Sequence, residues 1–96
     1  LKGGGRIETD LAIVGVGVRP NTKLAGDAGL MLGSTGGILV DEFSRTNDPS
    51  IYAVGDACEY LYRPTDRRMR VPLAGPANRA GRLAGEHAAT GKSAPM

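Results

Sequence analysis

The chain is short, weakly charged and poor in aromatic residues. Its 96 residues, with three Tyr, one Phe and no Trp, allow one small domain with only a thin core. A formal net charge of +2 does not by itself imply a polyanionic partner. The single cysteine excludes an internal disulfide, so we expect a reducing, cytoplasmic compartment. No stretch approaches the roughly 20 apolar residues of a membrane span, and we expect no membrane association.

Three segments have the composition of short β-strands. Residues 11–18 (LAIVGVGV) follow a glycine-rich turn signal and are rich in β-branched side chains, which predicts a strand buried on both faces. Residues 36–42 and residues 50–56 are the second and third candidates. Between the first two strands, Asn21 or Thr22 could cap a short helical turn.

One longer helix is predicted near the C-terminal end, over residues 75–91. Gly75 suits the cap, Pro76 the first helical position, and Gly91 a left-handed stop. Small and apolar side chains recur along one face at three- and four-residue spacing: Ala77, Ala80, Leu83, Ala84, His87 and Ala88. The elements together predict an α/β fragment of short strands with one C-terminal helix.

Two glycine-rich or basic motifs carry less information. GVGVRP, residues 15–20, lacks the third glycine of a dinucleotide fingerprint and has Pro20 in its place. We therefore expect that these glycines leave room for a neighbouring backbone or cofactor and do not form a phosphate-binding loop. The segment YRPTDRRMR, residues 62–70, contains four arginines and a proline, and we expect an irregular, solvated loop. Nucleic-acid binding is the alternative for this segment, but it would need a wider basic face or aromatic platforms.

A segment led by Thr46 ends in the pair Gly55-Asp56. This pattern resembles the second FAD motif of the pyridine nucleotide-disulfide oxidoreductases. The resemblance implies that the Asp56 carboxylate accepts a hydrogen bond from a ribityl hydroxyl of FAD, and that Gly55 lets the cofactor approach. Ligands of open α/β sheets lie outside the carboxyl ends of strands, which agrees with this role. The alternative is a carboxylate that only caps the next turn.

Two further segments resemble the same family, and they occur in the family's order. Residues 10–22 are similar to the segment that closes the nicotinamide-binding domain, with Gly17 at the glycine of its small-residue turn. Residues 71–82 are similar to the stretch that faces the pyrimidine side of the flavin, which implies backbone contacts from Leu73 and Ala74. The branch that they most resemble contains the coenzyme A-disulfide reductases and NADH oxidases.

The resemblance implies part of a Rossmann-like FAD/NAD(P)-binding fold. Residues 1–22 would end the nicotinamide-binding domain, and residues 23–96 would form the second part of the FAD-binding domain. It implies FAD as cofactor, NAD(P)H as co-substrate, and a small-molecule disulfide, persulfide or oxygen as acceptor. We expect the intact enzyme to be a homo-oligomer and the fragment alone to be inactive. The alternative is a non-catalytic module that keeps the fold for partner binding or self-association.

No residue of this chain is assigned a catalytic role. The branch's redox cysteine belongs to an N-terminal region and its acid-base histidine to a C-terminal interface domain, and neither region matches these residues. Cys58 is expected to be a small apolar filler, and His87 a packed helical histidine. No metal site is expected, because the chain has one Cys and one His.

Overall fold

The computed structural model describes residues 2–96 and contains a small three-stranded sheet. Strand β1 pairs in parallel with β2, and β2 pairs antiparallel with β3, in the order β1-β2-β3. The predicted α/β class of short strands and one C-terminal helix is confirmed. The elements in chain order are α1 (Lys23–Asp27), β1 (Ile38–Leu39), β2 (Cys58–Tyr62), a 3-10 turn (Arg63–Thr65), β3 (Arg67–Met69) and α2 (Ala74–Thr90).

Helix α2 begins two residues earlier than its sequence signals predict. Its N-cap is Leu73 and its first residue is Ala74, so the expected Gly75 cap is wrong. Pro76 is tolerated at the third helical position because the first N–H groups of a helix have no intrahelical acceptor. Gly91 ends the helix as predicted, with φ +72 and its N–H donated to the His87 carbonyl at 2.8 Å. Among residues 2–96, no helix is long and apolar enough to cross a membrane.

The core lies between the sheet and α2. Val40, Cys58, Tyr60 and Ala80 form one buried cluster. Ala80 is fully buried, and its small side chain lets α2 approach the sheet closely. Three partly buried side chains pack against the cluster: Ile38, Ala53 and Met96.

The segment predicted as the first strand forms no strand and no β-pairing with any other described residue. Ile13 and Val16 are each 90% exposed, so the prediction of a strand buried on both faces is wrong. A strand needs a neighbour that receives its N–H and C=O groups. Within residues 2–96, no strand pairs with residues 11–18, and their apolar side chains meet solvent.

The other strand predictions are also corrected. Residues 50–56 contribute only a single antiparallel bridge, between Tyr52 and Arg45, and β1 is shorter than the predicted 36–42. Strands β2 and β3 instead form a hairpin. Its second strand, β3, lies within the arginine-rich segment at residues 62–70 that the sequence predicts to be irregular. Asp66 makes this reversal possible because it adopts a left-handed conformation, with φ 51, directly before β3.

Helix α1 confirms the expected short helical turn. Thr22 occupies its N-cap, but its hydroxyl does not cap the helix. The Thr22 hydroxyl donates instead to the Gly36 carbonyl at 3.1 Å, which ties the start of α1 to the turn before β1.

Candidate functional site

The Gly55-Asp56 pair lies in a tight turn that leads into β2. Gly55 has φ +92, and a Cβ built there would meet no atom within 4 Å, so the backbone conformation and not lack of space requires glycine. The Cys58 N–H donates to the Gly55 carbonyl at 3.1 Å. The Gly55 N–H donates to the Tyr60 hydroxyl at 3.0 Å. Both backbone groups of Gly55 are therefore tied to β2.

The Asp56 carboxylate is exposed and uncommitted. Among residues 2–96, it forms no ion pair and accepts no hydrogen bond. A carboxylate that capped the following turn would accept one of that turn's N–H groups. The geometry therefore leaves Asp56 available to a ligand.

The N-terminal end of α2 offers two free backbone donors. The first N–H groups of a helix have no intrahelical acceptor, and the N-cap residue Leu73 provides no side-chain cap. Pro76 has no N–H, and the Ala77 N–H donates to the Leu73 carbonyl at 3.2 Å. The N–H groups of Ala74 and Gly75 remain, at the positive end of the helix dipole.

Leu73 differs from its sequence expectation in one respect. Its N–H already donates to the Val71 carbonyl at 2.8 Å. The backbone donor that the sequence assigned to Leu73 is therefore used inside the chain, whereas that of Ala74 is free. The Leu73 side chain is 61% exposed and can offer an apolar contact.

Gly37 lies where distant segments of the chain meet. A Cβ built there would lie 2.8 Å from Cδ of Arg70 and 3.1 Å from the Ala57 carbonyl oxygen. The Arg70 side chain packs beside Gly37, and Nη2 of its guanidinium donates a hydrogen bond to the Val18 carbonyl at 3.3 Å. We call these four residues the segment junction.

The predicted site residues lie near the members of the segment junction in the sequence. Each of them is close in sequence to a member of the junction. Gly17 precedes Val18, Asp56 precedes Ala57, and Leu73 and Ala74 follow Arg70 by three and four residues.

Two contacts place the segment before the Gly55-Asp56 turn alongside α2 and the core. The Tyr52 hydroxyl lies 2.8 Å from Nδ1 of His87, in the last turns of α2. The next residue, Ala53, packs on the cluster that contains Ala80, nearly two turns nearer the start of the helix. These contacts fasten the segment that leads into the Gly55-Asp56 turn to the rest of the fold.

Comparison with known proteins identifies the family. The sequence model of the pyridine nucleotide-disulphide oxidoreductases matches residues 1–81. The chain belongs to this family. The family that the Gly55-Asp56 motif predicts is thus confirmed.

Individual relatives agree with the predicted branch. The chain is 40% identical over 85 residues to the CoA-dependent NAD(P)H sulfur oxidoreductase of Pyrococcus abyssi (strain GE5 / Orsay), covering 88% of this chain and 19% of that protein. It is 41% identical over 86 residues to the coenzyme A disulfide reductase of Staphylococcus aureus (strain JH9), covering 88% and 20% respectively. The chain therefore spans about a fifth of the length of these relatives.

A solved structure confirms the Rossmann-like character of the fold. The crystal structure of a FAD-dependent pyridine nucleotide-disulphide oxidoreductase from Desulfovibrio vulgaris superposes with a TM-score of 0.81 at 42% identity. The match covers 94% of this chain and 22% of that one. The α/β fold seen here is thus similar to about a fifth of that larger chain.

Arg70 is a candidate site residue that the sequence patterns did not indicate. Its Nε and Nη1 are buried and have no hydrogen-bond partner among the described residues. Buried donors are normally paired, but the described residues supply no acceptor for these two nitrogens. The only signal in the sequence is position, because Arg70 directly precedes the segment at 71–82 that resembles the family.

Cys58 and His87 are packed in this oxidoreductase segment as the sequence predicts. Cys58 is 1% exposed, and burial raises the pKa of its thiol, with a contact to the Tyr60 hydroxyl offsetting part of the rise. The His87 ring stacks on Phe43 with 4.7 Å between ring centroids. Among residues 2–96, no three His, Cys, Asp or Glu side chains could hold a metal ion together. The absence of a catalytic role for either residue stays a prediction.

Internal contacts engage most of the basic segment at residues 62–70. Arg63 forms an ion pair with Glu42. Nη1 of Arg68 donates to the Val40 carbonyl at 3.2 Å, and Arg70 belongs to the segment junction. Three of the four arginines therefore hold the hairpin against the rest of the fold.

Proposed function

We propose that this chain is the flavin-facing segment of an FAD-dependent NAD(P)H oxidoreductase. The acceptor that we propose is a small-molecule disulfide, persulfide or oxygen. The observation that carries the proposal is the uncommitted Asp56 carboxylate, held in a fixed turn of a chain that belongs to this family. Residues 1–22 would end the nicotinamide-binding domain, and residues 23–96 would supply the second part of the FAD-binding domain.

The residues present fit an FAD group in three ways. Asp56 offers a free acceptor for a hydroxyl, and open space surrounds Gly55 where a Cβ would stand. Ala74 and Gly75 offer free N–H donors at a helix N-terminus, which suits an electron-rich group. The exposed Leu73 side chain offers an apolar surface for an aromatic ring system.

Bound FAD would supply two-electron transfer between NAD(P)H and the acceptor. The residues of this chain would bind the cofactor and orient it. Asp56 would fix a ribityl hydroxyl through a charge-assisted hydrogen bond. The N–H groups of Ala74 and Gly75, with the dipole of α2, would stabilise the negative charge of the reduced flavin.

The intact protein would work in the cytoplasm as a homo-oligomer, with its redox cysteine outside these residues. The buried, unpaired thiol of Cys58 suits a reducing compartment. The different-class alternative, a non-catalytic module, has no observation in its favour.

The substitution Asp56→Ala in the full-length flavoprotein tests the proposal. Loss of one charge-assisted hydrogen bond should weaken FAD binding by about 1.5 to 3 kcal/mol, measured by titration of the apoprotein with FAD. Asp27→Ala is the matched control, because the Asp27 side chain is 62% exposed in a surface pair with Lys23. Equal FAD affinity in the Asp56 variant and the wild type would return Asp56 to a capping role and overturn the proposal.

A further inference from the structure

Tyr60 has a rigidly held ring beneath the Gly55-Asp56 turn. Its side chain is 9% exposed and packs in the core cluster with Val40 and Ala80. Its backbone lies in the middle of the sheet, where it is paired with Met69 of β3. The position of its hydroxyl is therefore set by the sheet and by α2.

That hydroxyl adds a side-chain link between the sheet and the turn to the backbone hydrogen bond between Cys58 and Gly55. It accepts the Gly55 N–H at 3.0 Å. In the described part of the chain, this is the only hydrogen bond from a side chain to the turn at residues 55–57. Burial raises the pKa of Tyr60 to about 12, so the phenol stays neutral near neutral pH and keeps its geometry as an acceptor.

We propose that Tyr60 is a positioning residue for FAD: its hydroxyl holds the Gly55 amide and thereby directs the Asp56 carboxylate toward the cofactor. The inference rests on the proposed function, because it assigns Tyr60 a task only if Asp56 binds the flavin. The physical reason is the conformational freedom of glycine. Gly55 adopts a left-handed conformation here, but a glycine can adopt many other backbone conformations. A fixed acceptor for its N–H stabilises the left-handed conformation over the others.

The substitution Tyr60→Phe in the full-length flavoprotein removes the acceptor and keeps the ring. We expect the dissociation constant for FAD to rise about threefold to tenfold, as the loss of one neutral hydrogen bond implies. Tyr62→Phe is the matched control: the residue lies on the same strand, its side chain is 45% exposed, and the change should be smaller than about twofold. An unchanged constant in the Tyr60 variant, or an equal rise in both variants, would overturn the inference.

A double-mutant cycle separates positioning from a general structural role. In the Asp56→Ala background, Tyr60→Phe should change the FAD dissociation constant by less than about twofold, because the carboxylate that it directs is gone. The same loss in both backgrounds would show that Tyr60 acts on the fold as a whole and would refute its positioning role.

The two proposals fail in different ways. If Asp56→Ala alone leaves FAD binding unchanged, the proposed function fails. If Asp56→Ala weakens binding and Tyr60→Phe does not, only the role of Tyr60 fails. Should the Phe variant not fold, ring fluorination of Tyr60 weakens the hydroxyl as an acceptor at nearly constant size. The fluorinated protein must then have a higher dissociation constant for FAD than the wild type, and an unchanged constant would overturn the inference.

Discussion

At the scale of single residues, the surroundings of a side chain decide its chemistry more than its place in a motif does. Cys58 follows the Gly55-Asp56 pair by two residues, yet its side chain is 1% exposed and lies in the core. Asp56, by contrast, is exposed and has no hydrogen-bond or ion-pair partner among residues 2–96, although it lies only two residues before the start of β2. The motif identifies the region, and burial separates the side chain that we propose to bind a ligand from the packed one.

We therefore expect Cys58 to react slowly with iodoacetamide in the folded protein. The thiolate is the reactive form, and burial raises the pKa of the thiol, so its thiolate fraction stays below that of an exposed cysteine at any pH under the raised value. The alkylation rate of the folded protein, followed by mass spectrometry, should increase with pH but stay below the rate of the denatured chain. Alkylation as fast in the folded as in the denatured protein would contradict the assignment of Cys58 to the core.

At the scale of elements, local signals predict more than pairing does. Helix α2 could be predicted because its stop at Gly91 and its three- and four-residue spacing are local features of the sequence. The strands could not, because β1 pairs with β2 through residues as distant as Ile38 and Cys58. Residues 11–18 have strand composition but no partner among the described residues, and composition alone does not reveal that.

The same distinction applies to the candidate site. The Gly55-Asp56 turn could be predicted because the motif is contiguous in the sequence. The unpaired donors of Arg70 could not, since they depend on how distant segments meet in space, and the local turn in which the Val71 carbonyl accepts the Leu73 N–H has no signal in the sequence.

The turn after β1 supports a prediction about acid stability. Oδ1 of Asp41 accepts the N–H groups of Phe43 at 2.8 Å and Arg45 at 2.9 Å, and Oδ2 pairs with Nε of Arg45. Burial alone would raise the pKa of Asp41, but the hydrogen bonds from Arg45 and Phe43 lower it below its ordinary value. The stability that this carboxylate contributes is therefore present above its unfolded pKa and lost as the pH falls through the folded pKa.

We expect Asp41→Asn to lower the free energy of unfolding by about 0.5 to 1 kcal/mol near neutral pH, a modest effect because the side chain is partly exposed. The difference from the wild type should shrink as the pH falls through the acidic range. Thermal unfolding at a series of pH values measures both, with Asp27→Asn as the surface control. If the free energy of unfolding of the Asn variant depends on pH as that of the wild type does, Asp41 does not stabilise this turn.

At the scale of the whole molecule, the chain is too extended for its length. Its radius of gyration is 17.2 Å, with extents of 59 × 28 × 24 Å. A compact domain of this length would have a radius of gyration of about 12 to 13 Å. The N-terminal segment contributes much of the difference, because its apolar residues 11–18 lie outside the core. An apolar, unpaired segment is a template for pairing with another chain.

We therefore expect the isolated chain to form dimers or larger assemblies at about tens of micromolar, as seen by sedimentation velocity. Charges introduced by the double substitution Ile13→Asp and Val16→Asp should shift the chain toward the monomer, since both side chains are 90% exposed in the segment that would pair. Leu24→Asp is the matched control, because Leu24 is 84% exposed but lies on α1, outside that segment. If the wild type is a cooperatively folding monomer, or if the control dissociates the assembly equally well, residues 11–18 do not drive association. A monomeric wild type would mean that the mixed α/β core around Tyr60 is sufficient to keep this chain from associating.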